Sequence, residues 1–208
     1  MSDQIDKFAL ERASTSLFEA GKKVNTSFLL LSVLLIIASI LVFSDYSESK
    51  IKVPLLDLTL QRWIAAQVIV ALSSAVTFHW VSLHSYERLL YSKLHSLAST
   101  TNSDLFHWYA FHPTIYFFLE EIGNLTPKLH KFFCGAIVFF AMVGGFLYPL
   151  YLMYVIGSVD RFSISWTVSL VVTLFFIVAS LATAYTFLSL NLKQNTKLID
   201  NIEKEKNW

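Results

Sequence analysis

The residues able to do chemistry are six histidines, the adjacent carboxylates Glu120 and Glu121, the lone Cys134 and a hydroxyl stripe at Ser73, Ser74 and Thr77. Histidines suggest a metal, but their spacing opposes one. His79 and His84 are five apart, as are His107 and His112. On a helix that places the two rings about 140° from each other. No His-x-x-x-His, Cys pair or His-Glu-x-x-His occurs. Cys134 has no partner for an intramolecular disulfide and reads as a small apolar residue. Neither a phosphate-binding glycine loop nor a nucleophile elbow is present. An enzyme would have to draw on Glu120, Glu121 and His112, which a solvated helix end explains as well. The expectation is a protein that is not an enzyme and uses no cofactor.

The elements that must position these residues are apolar. Of 208 residues, 55% are hydrophobic and 15% charged, with mean hydropathy +0.55. A soluble domain carries about 25% charged residues. A helix crosses the hydrocarbon core with about 20 apolar residues. Four runs fit, at about 27–43, 63–83, 132–156 and 162–190. The expected fold is all-α, a polytopic membrane protein of one domain over 1–208. It has four transmembrane helices, with a long helical loop at 84–131. The net charge of +1 gives no basic face for nucleic acid.

Along the chain, Ile5, Phe8, Leu10, Leu17 and Phe18 recur at helical spacing ahead of the first run. This leader lies on the membrane surface, packs on the long loop, or simply joins the first span. Acidic residues at its start and the lack of a cleavage site argue against a signal peptide. Val53, Pro54, Leu55 and Leu56 form a sticky stretch for the interface, and Asp57 or Thr59 is the expected cap of the second helix. Ser73, Ser74 and Thr77 suit close helix packing, with a pore lining as the alternative. Trp63 and Trp80 suit the headgroup level.

The second helix is expected to continue past the membrane as a stalk. Leu83, Leu90, Leu94 and Leu97, with Glu87 and Arg88, form its partner-binding face. Thr100 to Ser103 break it. Phe106, Trp108, Tyr109, Phe117 and Phe118 then mark an interfacial aromatic helix that begins near Pro113 and ends near Gly123. In the third run, Pro149 cannot donate to the carbonyl of Gly145. A kink is expected there, and Gly144, Gly145 and Pro149 form the candidate hinge. Gly157 to Arg161 reads as a turn. Beyond Asn191 the chain is polar, with a short amphipathic tail.

Flanking cations set orientation. Twelve lie in the N-terminal segment (Lys7, Arg12, Lys22, Lys23), the long loop (Arg88, Lys93, Lys128, Lys131) and the tail (Lys193, Lys197, Lys204, Lys206). Four lie opposite: Lys50, Lys52, Arg62 and Arg161. Both termini and the long loop are therefore expected in the cytoplasm. Two glycosylation patterns, at Asn25 and Asn124, would then be cytosolic and read as chance.

Val53-Pro54-Leu55-Leu56, the aromatic stretch with Pro113, Tyr148-Pro149-Leu150 and Asp160-Arg161 carry a resemblance. Over about residues 30 to 190 the chain resembles a bacterial four-pass membrane module found ahead of pentapeptide repeats or other cytosolic domains. The resemblance implies an anchor or sensor in the bacterial inner membrane, with no catalytic residues to carry over. Here the chain stops soon after the fourth run, so the expected effector is a separate cytosolic protein. The layout is also similar to membrane components of bacterial anti-phage systems such as the Kiwa type, in which the membrane protein senses and a cytosolic partner acts. The expected function is thus a sensor or scaffold in the lipid bilayer, self-associated as a dimer or tetramer. The alternative is a pore-forming or depolarising effector. A small carrier is disfavoured, because the span interiors hold no charge.

Overall fold

A computed structural model describes residues 2–44, 50–53, 58–101, 132, 139, 142–160 and 163–206. The elements are α1 (Ser2–Phe43), β1 (Lys50–Val53), β2 (Leu58–Gln61) and α2 (Arg62–Thr101). A π-helical turn (Val143–Leu147), α3 (Tyr148–Asp160) and α4 (Ile164–Lys206) follow. Among the described residues three helices are long and apolar enough to cross a membrane: Glu11–Phe43, Arg62–Ser92 and Ile164–Phe187. A shorter apolar helix covers Val143–Val159.

The leader and the first apolar run form one helix, α1, without a break. With 42, 40 and 43 residues, α1, α2 and α4 are each about 60 to 65 Å long, at ~1.5 Å per residue. That is about twice the hydrocarbon thickness of ~30 Å.

Helix α2 is the hub, packing on α1, α3 and α4. Leu17 meets Leu94, Phe28 meets Trp80, and Ala38 and Val42 cluster with Ala66 and Val70. The two helices are therefore antiparallel. Every seventh residue along the seam is buried: Leu17, Val24, Leu31 and Ala38 on α1, and Ala66, Ser73, Trp80, Glu87 and Leu94 on α2. A seven-residue repeat keeps the seam in contact only if the pair coils left-handed. Helix α4 runs parallel to α2, with Phe78 and Phe176 6.1 Å apart.

The ends at one side are flush. Arg62, the first residue of α2, donates from Nε to the Leu41 carbonyl at 2.5 Å and from Nη2 to the carbonyls of Val42 and Ser44. These carbonyls close α1, where the helix leaves acceptors without intrahelical partners. Trp166, at the start of α4, donates from Nε1 to the Met153 carbonyl of α3 at 2.7 Å. Met153, Leu152 and Ile156 complete the core with Ala38, Val42, Ala66 and Val70. Ser163 caps α4, accepting from the Trp166 backbone N–H at 3.2 Å.

Several expectations are corrected. The chain is not purely helical: β1 and β2 form an antiparallel hairpin pairing Ile51 with Leu60 and Val53 with Leu58. Lys50 pairs with Gln61 and Lys52 with Thr59. Polar thus opposes polar and apolar opposes apolar, a pattern of period two. Thr59 lies inside β2 and does not cap α2. The turn expected at Gly157 to Arg161 is helical through Asp160, with Gly157 buried and the Ser158 hydroxyl donating to the Val155 carbonyl at 2.7 Å.

Candidate functional site

The most polar part of the helix seam lies where α1 and α2 leave the apolar segment. Trp80, His84 and Glu87 are spaced to share one face of α2. Glu87 is fully buried. Its Oε2 lies 3.0 Å from His84 Nδ1, and the His84 side chain is 26% exposed. The imidazole stacks on Trp80 at 6.2 Å, and Trp80 meets Phe28 at 5.9 Å. A buried carboxylate costs several kcal/mol unless a charge or strong donor faces it, because an ion loses its hydration on leaving water. His84 supplies that partner and keeps an edge toward solvent. On α1, the antiparallel register places the buried Ala20, Gly21 and Val24 level with this pair.

The leucine stripe expected to receive a partner is in part occupied from within the chain. Leu94 is fully buried against Leu17, with Ala13, Leu90 and Tyr91 around them. Leu83, Arg88 and Leu90 are half-buried, and Leu97 lies within α2. The spacing of these leucines marks a real seam, but one centred on Glu87 and Leu94 and covered by α1.

Ser73, Ser74 and Thr77 are buried between helices. Ser73 and Ser74 both donate to the Val70 carbonyl, at 2.7 and 3.2 Å, and Thr77 donates to Ser73 at 2.9 Å. Their protons are spent inside α2, which leaves compact surfaces for close approach. Gly145 uses one: a Cβ placed there would stand 3.0 Å from Thr77 Cγ2. Gly145 belongs to the π-helical turn, in which the Tyr148 N–H reaches back five residues to the Val143 carbonyl. The turn precedes buried Pro149, whose missing N–H removes the α-helical bond to Gly145. Where a kink is expected, the chain forms a π-helical turn just before Pro149. Above it, Tyr148 Oη and Ser39 Oγ are 2.6 Å apart, tying α3 to α1.

Trp63 packs against the core and stacks beside Arg62, 5.2 Å from the guanidinium. Trp80, expected at the headgroup level, is only 5% exposed and packs with Phe28 and His84. Phe106, Trp108, Tyr109, Phe117 and Phe118 lie outside the described residues, as do Glu120, Glu121 and His112. Among the described residues no three of His, Cys, Asp and Glu come together as a metal site would need.

A second feature, a mainly apolar groove edged by three hydroxyls, lies between α2 and α4. Ser85, Ala182, Thr183, Thr186 and Phe187 line a shallow groove of about 360 Å³. Nothing in the sequence spacing marks it, since its walls come from helices about a hundred residues apart. No protein-family model, curated protein or solved structure matches the chain.

Proposed function

We propose that the chain is a non-enzymatic, multi-pass scaffold or sensor of the bacterial inner membrane that engages a separate cytosolic protein. The observation that carries this reading is the flush end of the bundle. Arg62 levels α1 with α2, and Trp166, bonded to Met153 midway along α3, holds the start of α4 beside the same core. The excess length of α1, α2 and α4 therefore leaves from the opposite end together. It forms a helical stalk projecting about 30 Å beyond a bilayer of ordinary thickness. In this reading the apolar run from Phe132 through Val159 supplies a fourth pass. The cation excess places the stalk and both termini in the cytoplasm. The exposed apolar faces of α1 and α4, including Ile36, Ile40, Phe175 and Val178, meet lipid or a second copy, as a dimer or tetramer requires. The resemblance to membrane components of anti-phage systems adds a defence role.

The test is co-purification from native membranes with substitutions on the outside of the stalk. Arg12→Glu and Glu19→Lys change exposed residues and leave the seam intact. Loss of a soluble partner with both variants still membrane-inserted is the expected result. Equal recovery of that partner from both variants and the parent rules out the stalk as the docking element. A pore lined by Ser73, Ser74 and Thr77 would have to open the seam in which they are buried.

A further inference from the structure

We infer that the groove between α2 and α4 binds the headgroup of a membrane phospholipid carrying a primary ammonium. This rests on the helices lying across a bilayer, and is independent of any partner at the stalk. Depth is the first argument. Thr183 lies about 29 Å along α4 from Ile164, counting ~1.5 Å per residue. This is the full depth of the hydrocarbon layer, ~30 Å. The groove therefore opens among the headgroups of the stalk-side leaflet. Tyr86 and Tyr185, at the same level, are 51% and 73% exposed, as tyrosines at headgroup depth commonly are.

The second argument is hydrogen-bond polarity. A threonine hydroxyl has one proton and two lone pairs. Thr183 Oγ1 donates its proton to the Ala179 carbonyl at 2.9 Å, and Thr186 Oγ1 donates to Ala182 at 2.8 Å. What these two hydroxyls offer to the groove is lone pairs. A ligand must bring donors to meet them. A phosphate could accept from the Ser85 hydroxyl but would bring only acceptors to the two threonines, and a quaternary ammonium has no N–H. A primary ammonium has three N–H donors, and the ring of Phe187 in the groove wall favours a cation.

The experiment uses the full chain, delipidated in detergent and offered phosphatidylethanolamine, phosphatidylcholine and phosphatidylglycerol of identical acyl chains. Retained lipid is counted by native mass spectrometry. Phosphatidylethanolamine should be preferred by roughly tenfold over either competitor, the factor that one charge-assisted hydrogen bond supports. Soluble phosphoethanolamine, lacking acyl chains, should not displace it at equal concentration. The double variant Thr183→Val, Thr186→Val should retain the three lipids alike, while Thr15→Val, an exposed threonine bonded to its own helix, keeps the preference. Should the double variant not fold, Phe187→Leu is read instead and should lose part of the preference. Equal retention by the parent, a preference for phosphatidylglycerol, or an unchanged preference in the folded variants overturns the assignment. Carbonate extraction separates the two premises: release from membranes defeats the bilayer placement, whereas an embedded protein without the preference defeats the site alone.

Discussion

Two ionisable side chains are buried in the described helices, and each is buried for a different reason. Arg62 closes the end of α1 with a planar fork of donors, which a lysine could not reproduce on three carbonyls at once. Glu87 sits at a repeat position of the α1–α2 seam where an apolar residue would pack more simply. His84, three residues back on the same helix, supplies its polar partner at 3.0 Å. Gly145 is the tightest position that can be tested alone. A methyl group there would lie 3.0 Å from Thr77 Cγ2, so Gly145→Ala is expected to destabilise by about 1–3 kcal/mol. Thr77→Ser removes the opposing methyl but keeps the hydroxyl. The double variant should recover most of the loss in thermal unfolding in detergent. A double variant as unstable as Gly145→Ala would mean that the cost arises within the π-helical turn and not at the α2 contact.

At the scale of elements, the stalk is held by its own side chains. Leu17 and Leu94 are fully buried against each other, on stretches of α1 and α2 beyond the apolar segment. Leu17→Ala should therefore cost about 2–4 kcal/mol. The loss should appear as faster proteolysis of the N-terminal part of α1 with membrane insertion unchanged. If cleavage proceeds at the parent rate, α1 and α2 are not held together there. This seam was only half legible in the sequence. Leu90 and Leu94 announce an apolar stripe, but the repeat that pairs it with α1 runs through Ala66, Ser73, Trp80 and Glu87, types that hydropathy does not group. The ends of α1 and α2, at Phe43 and Arg62, were legible because apolarity stops there. The hairpin was not: its strands have four residues each, too few for a period-two signal, and Pro54 and Asp57 beside them suggest only a loop. At Pro149 the missing N–H predicts a kink, whereas nothing in the sequence marks the π-helical form of the turn before it. The spacing of Ser73, Ser74 and Thr77 marks one stripe, suited to close packing or to a pore lining, and only the fold shows it buried between helices. The α2–α4 groove was not legible, because it exists only once Ser85 and Thr183 are brought side by side.

For the whole molecule the decisive quantity is where the excess helix length goes. Three helices of about 60 to 65 Å cannot be hidden within a hydrocarbon layer of ~30 Å by tilt alone, since crossing helices tilt by only about 20° on average. Because Arg62 and Trp166 hold one end level, the surplus is confined to the other. The charges divide the same way: Lys50, Lys52 and Arg62 lie at the level end, while Arg12, Lys22, Lys23, Arg88, Lys193, Lys197, Lys204 and Lys206 lie on the projecting lengths. A bilayer that retains cations on its cytoplasmic side should therefore place the stalk inside. Reporter fusions test both the count of passes and their direction. Fusions after Thr101 and after Lys206 should report the cytoplasm, and a fusion between Val53 and Leu58 the opposite side. Removing the stalk cations by Lys22→Gln, Lys23→Gln and Arg88→Gln together should raise the fraction of inverted molecules, while the same change at Lys50 and Lys52 should not. A cytoplasmic signal at Thr101 with an external signal at Lys206 would instead mean an odd number of crossings, and the run from Phe132 to Val159 would then not span the bilayer.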